Sequence, residues 1–218
     1  MNHIKPVIIV FVTAILFTGC NNTNKSDKVG AIKIDSTSTV NLPDAKADSI
    51  YLTKLVRALY KWHEMTPNLD GFKPIRENPS DTLYSGVDLA NNNAAINELK
   101  KTGMFTKDFL SNYRAIAVRL DKELKDEATI WQKGMLPDYH DDTNQWCKCQ
   151  DYPDKFWETL TLKDIRFNKN EASFKWTWGG DFSYNLKAKK ENDVWKISYM
   201  EGFDMNWYSW GLERKNKK

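Results

Sequence analysis

The chain has 218 residues, with 32 Lys and Arg against 29 Asp and Glu, for a formal charge of +3. So close a balance points to neither a nucleic acid nor an acidic partner, and the length suits one domain of ordinary size plus extensions. The compositional bias is aromatic: of nine Trp, all but Trp62 lie after residue 130, so a large aromatic core is expected in the C-terminal half.

Residues 6–17 (PVIIVFVTAILF) form an uncharged, mostly apolar run. It is shorter than the roughly 20 residues of a membrane-spanning helix and has the length of the apolar region of a secretory signal. The run ends in LFTGC, which resembles the lipobox of bacterial lipoproteins with Cys20 in the lipidated position. The resemblance implies a signal peptide over residues 1–19 and a mature chain held to a membrane by acyl chains on Cys20. It also implies a place in the bacterial cell envelope, on the outer membrane and facing the periplasm. An ordinary secretory signal with an incidental cysteine is the alternative. Residues 20–47 are rich in Asn, Ser, Thr, Asp and Lys and read as a flexible tether with a mean reach of about 30 Å.

The folded domain is expected over residues 48–203. Asp48 or Ser49 can cap a first helix, on which Leu52, Leu55, Val56, Leu59, Tyr60 and His63 share one apolar face and which Pro67 ends. Residues 66–86 read as a loop. Residues 87–102 form a short polar helix, and Thr106 caps a longer one with Phe109, Tyr113, Ile116, Leu120 and Leu124 on one face. After Leu136 the period falls to two. Phe174, Trp176 and Trp178, then Phe182, Tyr184, Leu186 and Ala188, then Trp195, Ile197 and Tyr199 alternate with polar residues, behind an earlier strand at 161–168. GGD at 179–181 and END at 191–193 are tight connections, so neighbouring strands pair antiparallel. Helices followed by a meander give an α+β class, with N-terminal helices packed on a curved antiparallel sheet. Residues 204–218 form an aromatic and basic tail, in which Trp207, Tyr208 and Trp210 offer a partner-binding patch.

The helix LTKLVRALYKWHEM, the helix TKDFLSNYRAIAVRLDKEL, the acidic QDYPD and the closing strand VWKISYMEG together resemble the nuclear-transport-factor-2-like cone. They are similar in particular to bacterial lipoproteins of unknown function with that fold. The resemblance implies a cone with a pocket between sheet and helices, and it implies no one activity.

Residues 138–154 (DYHDDTNQWCKCQDYPD) gather His140, five Asp, Cys147 and Cys149. In an oxidising compartment a Cys147–Cys149 disulfide is geometrically feasible, although its small ring gains little from loop closure. Free or intermolecularly paired thiols are one alternative. A metal held by His140, Cys147 and Cys149 with Asp141, Asp142 or His63 is another, without the ligand spacing of structural zinc. Nor do Asp138, Asp141, Asp142, Asp151 and Asp154 follow the calcium-loop pattern. No metal or cofactor is therefore expected. Trp62, His63, Trp176, Trp178 and Tyr184 are the candidate pocket residues, either lining a cavity for a small apolar ligand or forming plain core. His63 is a conceivable general base, with Asp181 and Tyr184 as partners. No P-loop, HExxH or GxSxG occurs. The expected role is non-catalytic binding of a protein or small apolar ligand by a lipid-anchored envelope protein. A pocket enzyme using His63 and an immunity-type envelope protein are the alternatives.

Overall fold

The computed structural model describes residues 42–66, 69–127, 130–134 and 143–208. Cys20, His140, Asp138, Asp141, Asp142, Pro67, Trp210 and most of the tether and tail lie outside them. Helix α1 is Leu42–Met65, followed by the two-residue strands β1 (Pro74–Ile75) and β2 (Gly86–Val87), α2 (Leu89–Thr102) and α3 (Lys107–Lys125). The short α4 (Phe156–Thr159) then leads into β3 (Thr161–Asn168), β4 (Glu171–Thr177), β5 (Tyr184–Glu191) and β6 (Val194–Met200). These four strands form one antiparallel sheet in the order β3-β4-β5-β6. The class is α+β, as the sequence indicates.

Helix α1 begins at Leu42 and so extends N-terminally beyond the expected start at Asp48. A proline costs nothing in a first helical turn, where its missing N–H has no partner in any case, so Pro43 is compatible with this start. Asp48 is accordingly not a cap. Its carboxylate accepts hydrogen bonds from Trp195 Nε1 (2.7 Å) on β6 and from Lys190 Nζ (3.1 Å) on β5, and Lys190 Nζ also lies 4.9 Å from the centre of the Trp195 ring. A later turn of α1 is tied as well, because Arg57 Nε and Nη2 both donate to the Leu160 carbonyl at the head of β3.

Helix α2 starts at an Asp88 cap, whose carboxylate accepts from the Ala90 and Asn91 N–H groups, and it closes on Gly103 at φ 68°. Glycine takes that left-handed conformation without the Cβ penalty. Helix α3 starts at Thr106, whose hydroxyl accepts from Phe109 N–H. Phe109, Tyr113, Ile116, Leu120 and Leu124 are all buried, as their spacing requires. Residues 66–86 are more than a loop. β1 and β2 pair antiparallel within and just past them, and the buried Asp121 carboxylate on α3 accepts from Val87 N–H at 3.0 Å. The fully buried Asn92 donates to the Gly71 carbonyl and accepts from Arg114.

The sheet follows the period-two reading with Phe174, Trp176, Tyr184, Leu186, Ala188, Trp195 and Ile197 buried, but the extra residue at Ser198 turns Tyr199 to the outer face and buries Met200 in its place. Two register shifts interrupt the ladders, one between Lys163 and Arg166 on β3 and one between Lys187 and Ala188 where β5 meets β6. Such bulges bend strands and increase their twist. Trp178 falls one residue past β4 and stacks on Phe182 across the turn, with ring centres 3.6 Å apart and planes at 8°. Phe203 closes the core against Phe72, Phe109, Tyr113 and Trp146. The 3-10 turn Met205–Tyr208 follows it.

Candidate functional site

Of the five candidate pocket residues, Trp176 and Tyr184 have no exposed surface at all. Trp176 stands at the centre of an aromatic cluster. Its ring lies 4.6 Å from Tyr60 of α1, 5.4 Å from Phe156 of α4, 5.3 Å from Trp178 and 5.0 Å from Phe182. These separations are those of packed rings, each worth about 0.5–1.5 kcal/mol beyond its area burial. The space between sheet and helices around Trp176 is thus filled by side chains. The Trp176 indole N–H lies beside the Tyr60 hydroxyl, near enough to bias its titration. It nevertheless stays outside hydrogen-bond geometry to any group among the described residues.

The two buried tyrosines do a specific job. Tyr60 O–H donates to the Trp146 carbonyl at 2.7 Å, and Tyr184 O–H donates to the Gln145 carbonyl at 2.8 Å. The Tyr184 oxygen also accepts from Gly202 N–H at 2.7 Å. A helix and a strand thereby hold two consecutive carbonyls of the cysteine-bearing loop. Burial pushes both phenols well above the ordinary tyrosine range, so they remain donors at any physiological pH. The approach is close enough to demand glycine at 202, where a Cβ would meet the Gln145 carbonyl oxygen at 1.8 Å.

Within that loop Cys147 and Cys149 are joined by a disulfide, with Cα atoms 5.2 Å apart. Their sulfurs are committed to each other rather than to a metal. Among the described residues no group of three or more His, Cys, Asp or Glu is arranged to hold an ion. The loop folds around Asn144, whose side chain accepts from Trp146 N–H and whose carbonyl accepts from Cys147 and Lys148 N–H. Lys148, between the cysteines, has φ 53° and forms an ion pair with Glu201 at 2.9 Å. Burial alone would raise the Glu201 carboxyl, but hydrogen bonds from Lys148 and Asn185 outweigh it and hold the group below the usual carboxylate range. The 138–154 stretch that gathers reactive side chains is therefore, in its described part, a loop secured at four points: two tyrosines, one disulfide and one ion pair.

His63 does not join Trp176 or Tyr184. Its ring packs on Trp146 with centres 4.1 Å apart, and its Nδ1 is 3.0 Å from Glu64 Oε1. The other Glu64 oxygen accepts from Tyr152 O–H at 3.1 Å. Burial lowers the His63 pKa, with the Glu64 hydrogen bond and charge opposing it, so the ring is neutral at neutral pH. With Nδ1–H donated to Glu64, Nε2 is left as a base oriented by a carboxylate, an arrangement that proton-transfer chemistry uses. Asp181 sits exposed in the β4–β5 connection, and Trp62 is half-buried against the core. Sequence reasoning offers Trp146 and Tyr152 as residues that pin the 138–154 loop, but it did not foresee their contacts with His63 and Glu64. Adjacent helical residues do not normally face each other, and the loop partners lie more than 80 residues away.

The solvent side of the sheet has its own relief. Two shallow hollows there, of about 300 and 560 Å³, share Arg166, Ser173, Lys187 and Tyr199 as lining residues. No family model, curated protein or solved structure matches this chain.

Proposed function

We propose that this chain is a lipid-anchored cell-envelope protein with a nuclear-transport-factor-2-like domain that binds its ligand without transforming it. The observation that carries the binding reading is the packing of Trp176 and Tyr184. The side chains best suited to line an inner cavity are spent on the core and on holding a loop, which leaves the surface for recognition. The order of helices before a four-stranded meander supports the kinship, and LFTGC ending at Cys20 supports the anchor. Among the described residues no helix is long and apolar enough to cross a membrane; the attachment proposed here is through acyl chains at Cys20. Cys20→Ala is expected to move the protein from the membrane to the soluble fraction; unchanged fractionation overturns the anchored reading.

One observation favours a second reading. The Glu64–His63 pair has the form of an oriented general base, as a pocket enzyme of the isomerase or cyclase type would need. The two readings separate at His63→Asn. Ligand binding survives this change if His63 is structural, whereas turnover of a substrate by the unmodified protein that disappears in the variant favours the enzyme.

A further inference from the structure

The four sheet strands bring Arg166, Ser173, Lys187 and Tyr199 into one transverse row, because Arg166 pairs with Ser173, Ser173 with Lys187 and Lys187 with Tyr199. All four line both hollows on the outer face. The two cations of the row differ from three of the cations around them. Lys175 is paired with Asp164, Lys189 with Glu171 and Lys196 with Glu191. Arg166 has no carboxylate partner among the described residues, and Lys187 has only the Tyr199 ring, 5.0 Å from its ammonium. That contact holds the lysine over the sheet without neutralising it. The Tyr199 hydroxyl is itself committed to Asp204 at 3.0 Å. The nearby acids Asp164 and Glu171 are satisfied by lysines, which leaves Asp108 on the rim of the larger hollow and Asp204 at the Tyr199 hydroxyl as opposing charges.

The row also coincides with the sheet's irregularities. Arg166 directly follows the register shift on β3, where Asp164 takes φ 56°, and Lys187 directly precedes the shift between β5 and β6. Bulges re-aim side chains and cluster beside binding sites. The β3 shift carries its extra residue just before Arg166, and the β5–β6 shift carries its extra residue, Ser198, just before Tyr199, while Lys187 keeps the regular alternation of β5. Their backbones are two strand spacings apart, about 10 Å, a span that two long side chains close on a small anion with Ser173 O–H between them. Arginine supplies a planar fork, lysine a point charge and serine a hydroxyl, a donor set suited to a tetrahedral oxyanion.

We infer that this row binds the phosphate group of a small phosphate ester. The inference deepens the binding reading given above and rests on it, by assigning the ligand chemistry and placing it on the outer face of the sheet. It also qualifies the near-neutral net charge, since the selectivity lies in which cations are left unpaired.

The test titrates the purified full-length chain with inorganic phosphate, with phenyl phosphate, and with phosphatidylglycerol or phosphatidylcholine vesicles. The variants are Arg166→Gln and Lys187→Gln, with Lys163→Gln as a basic control on the same sheet outside the row. All three sites are at least partly exposed, so circular dichroism and the thermal midpoint are expected to stay constant. Saturable binding of the soluble phosphates is expected in the low-millimolar range or tighter. It should weaken at least tenfold in each row variant and less than twofold in the control. No saturation with either soluble phosphate, or equal weakening in all three variants, overturns the site. Binding to phosphatidylglycerol vesicles without binding to phenyl phosphate also overturns it and assigns the face to a membrane surface. Because the titration does not need the anchor, it can fail while the Cys20→Ala fractionation succeeds, and the reverse.

Discussion

The two faces of the sheet treat polar atoms in opposite ways. On the helix-facing side, the Tyr60 and Tyr184 hydroxyls, the Asp48 carboxylate and the Trp195 indole N–H all have partners inside the protein. On the outer side, Arg166 and Lys187 keep their charge without a carboxylate among the described residues. An unpaired polar group is costly only where water is excluded. The inner face therefore leaves few polar groups unpartnered, the Trp176 indole N–H being the exception among the described residues, and the outer face can hold groups in readiness for something else. What separates structural from recognition residues in this molecule is the state of their partners, and aromatic or charged character alone does not.

The contrast can be broken most directly at Trp176. Trp176→Ala is expected to cost about 3–5 kcal/mol in chemical denaturation followed by circular dichroism. Lys175→Ala, its outward-facing neighbour on β4, is expected to stay within about 1 kcal/mol because its ion pair is exposed. Comparable losses at the two positions would mean that the faces do not differ as described.

A smaller effect sharpens the role of the buried hydroxyls. Tyr184→Phe keeps the ring and strands the Gln145 carbonyl and the Gly202 N–H, at about 1–3 kcal/mol. The same variant should alter alkaline behaviour. A phenol raised by burial contributes stability that is complete below its unfolded value of about 10 and is lost as pH rises further. Tyr184→Phe should therefore flatten part of the decline above about pH 10, and an unchanged alkaline profile would remove the hydroxyl from the account.

The smallest expected effect is at His63. Its folded pKa is depressed by burial, so its contribution is complete above about pH 6.5 and is lost as pH falls through the folded value. His63→Asn should reduce the fall in stability between pH 7 and 5. The lowered carboxyl of Glu201 acts in a more acidic window, below its ordinary value near 4.5, so the two contributions separate in a pH series of unfolding midpoints.

The sheet and the second and third helices were legible because each carries a local signal. Period-two alternation from Phe174 to Ile197 marked the strands, and Thr106 is a side-chain cap with apolar spacing behind it, whereas the second helix was read from its polar run without its Asp88 cap. The start of α1 was not legible, since in LPDAKA Leu42 is the one large apolar residue and one residue shows no face, and the contact just after it, Asp48 with Trp195, spans 147 residues. At the site, Trp176 and Tyr184 alternate in the same way whether they line a cavity or fill one. Only the rings of Tyr60 and Phe156 decide between these, and both come from distant segments. The register shifts beside Arg166 and Tyr199 are not evident in a pattern of polar and apolar residues, so that row could not be read beforehand.

The Asp48 contact has a mechanical consequence. A pull arriving along the chain from its N-terminal side enters the folded domain through α1. The second turn of that helix is fastened to β5 and β6 by Lys190 and Trp195, and a later turn to the head of β3 by Arg57. Load is thereby shared between both edges of the sheet before α1 can peel away. Resistance to forced detachment is set by how fast those bonds open under tension, which equilibrium stability does not report.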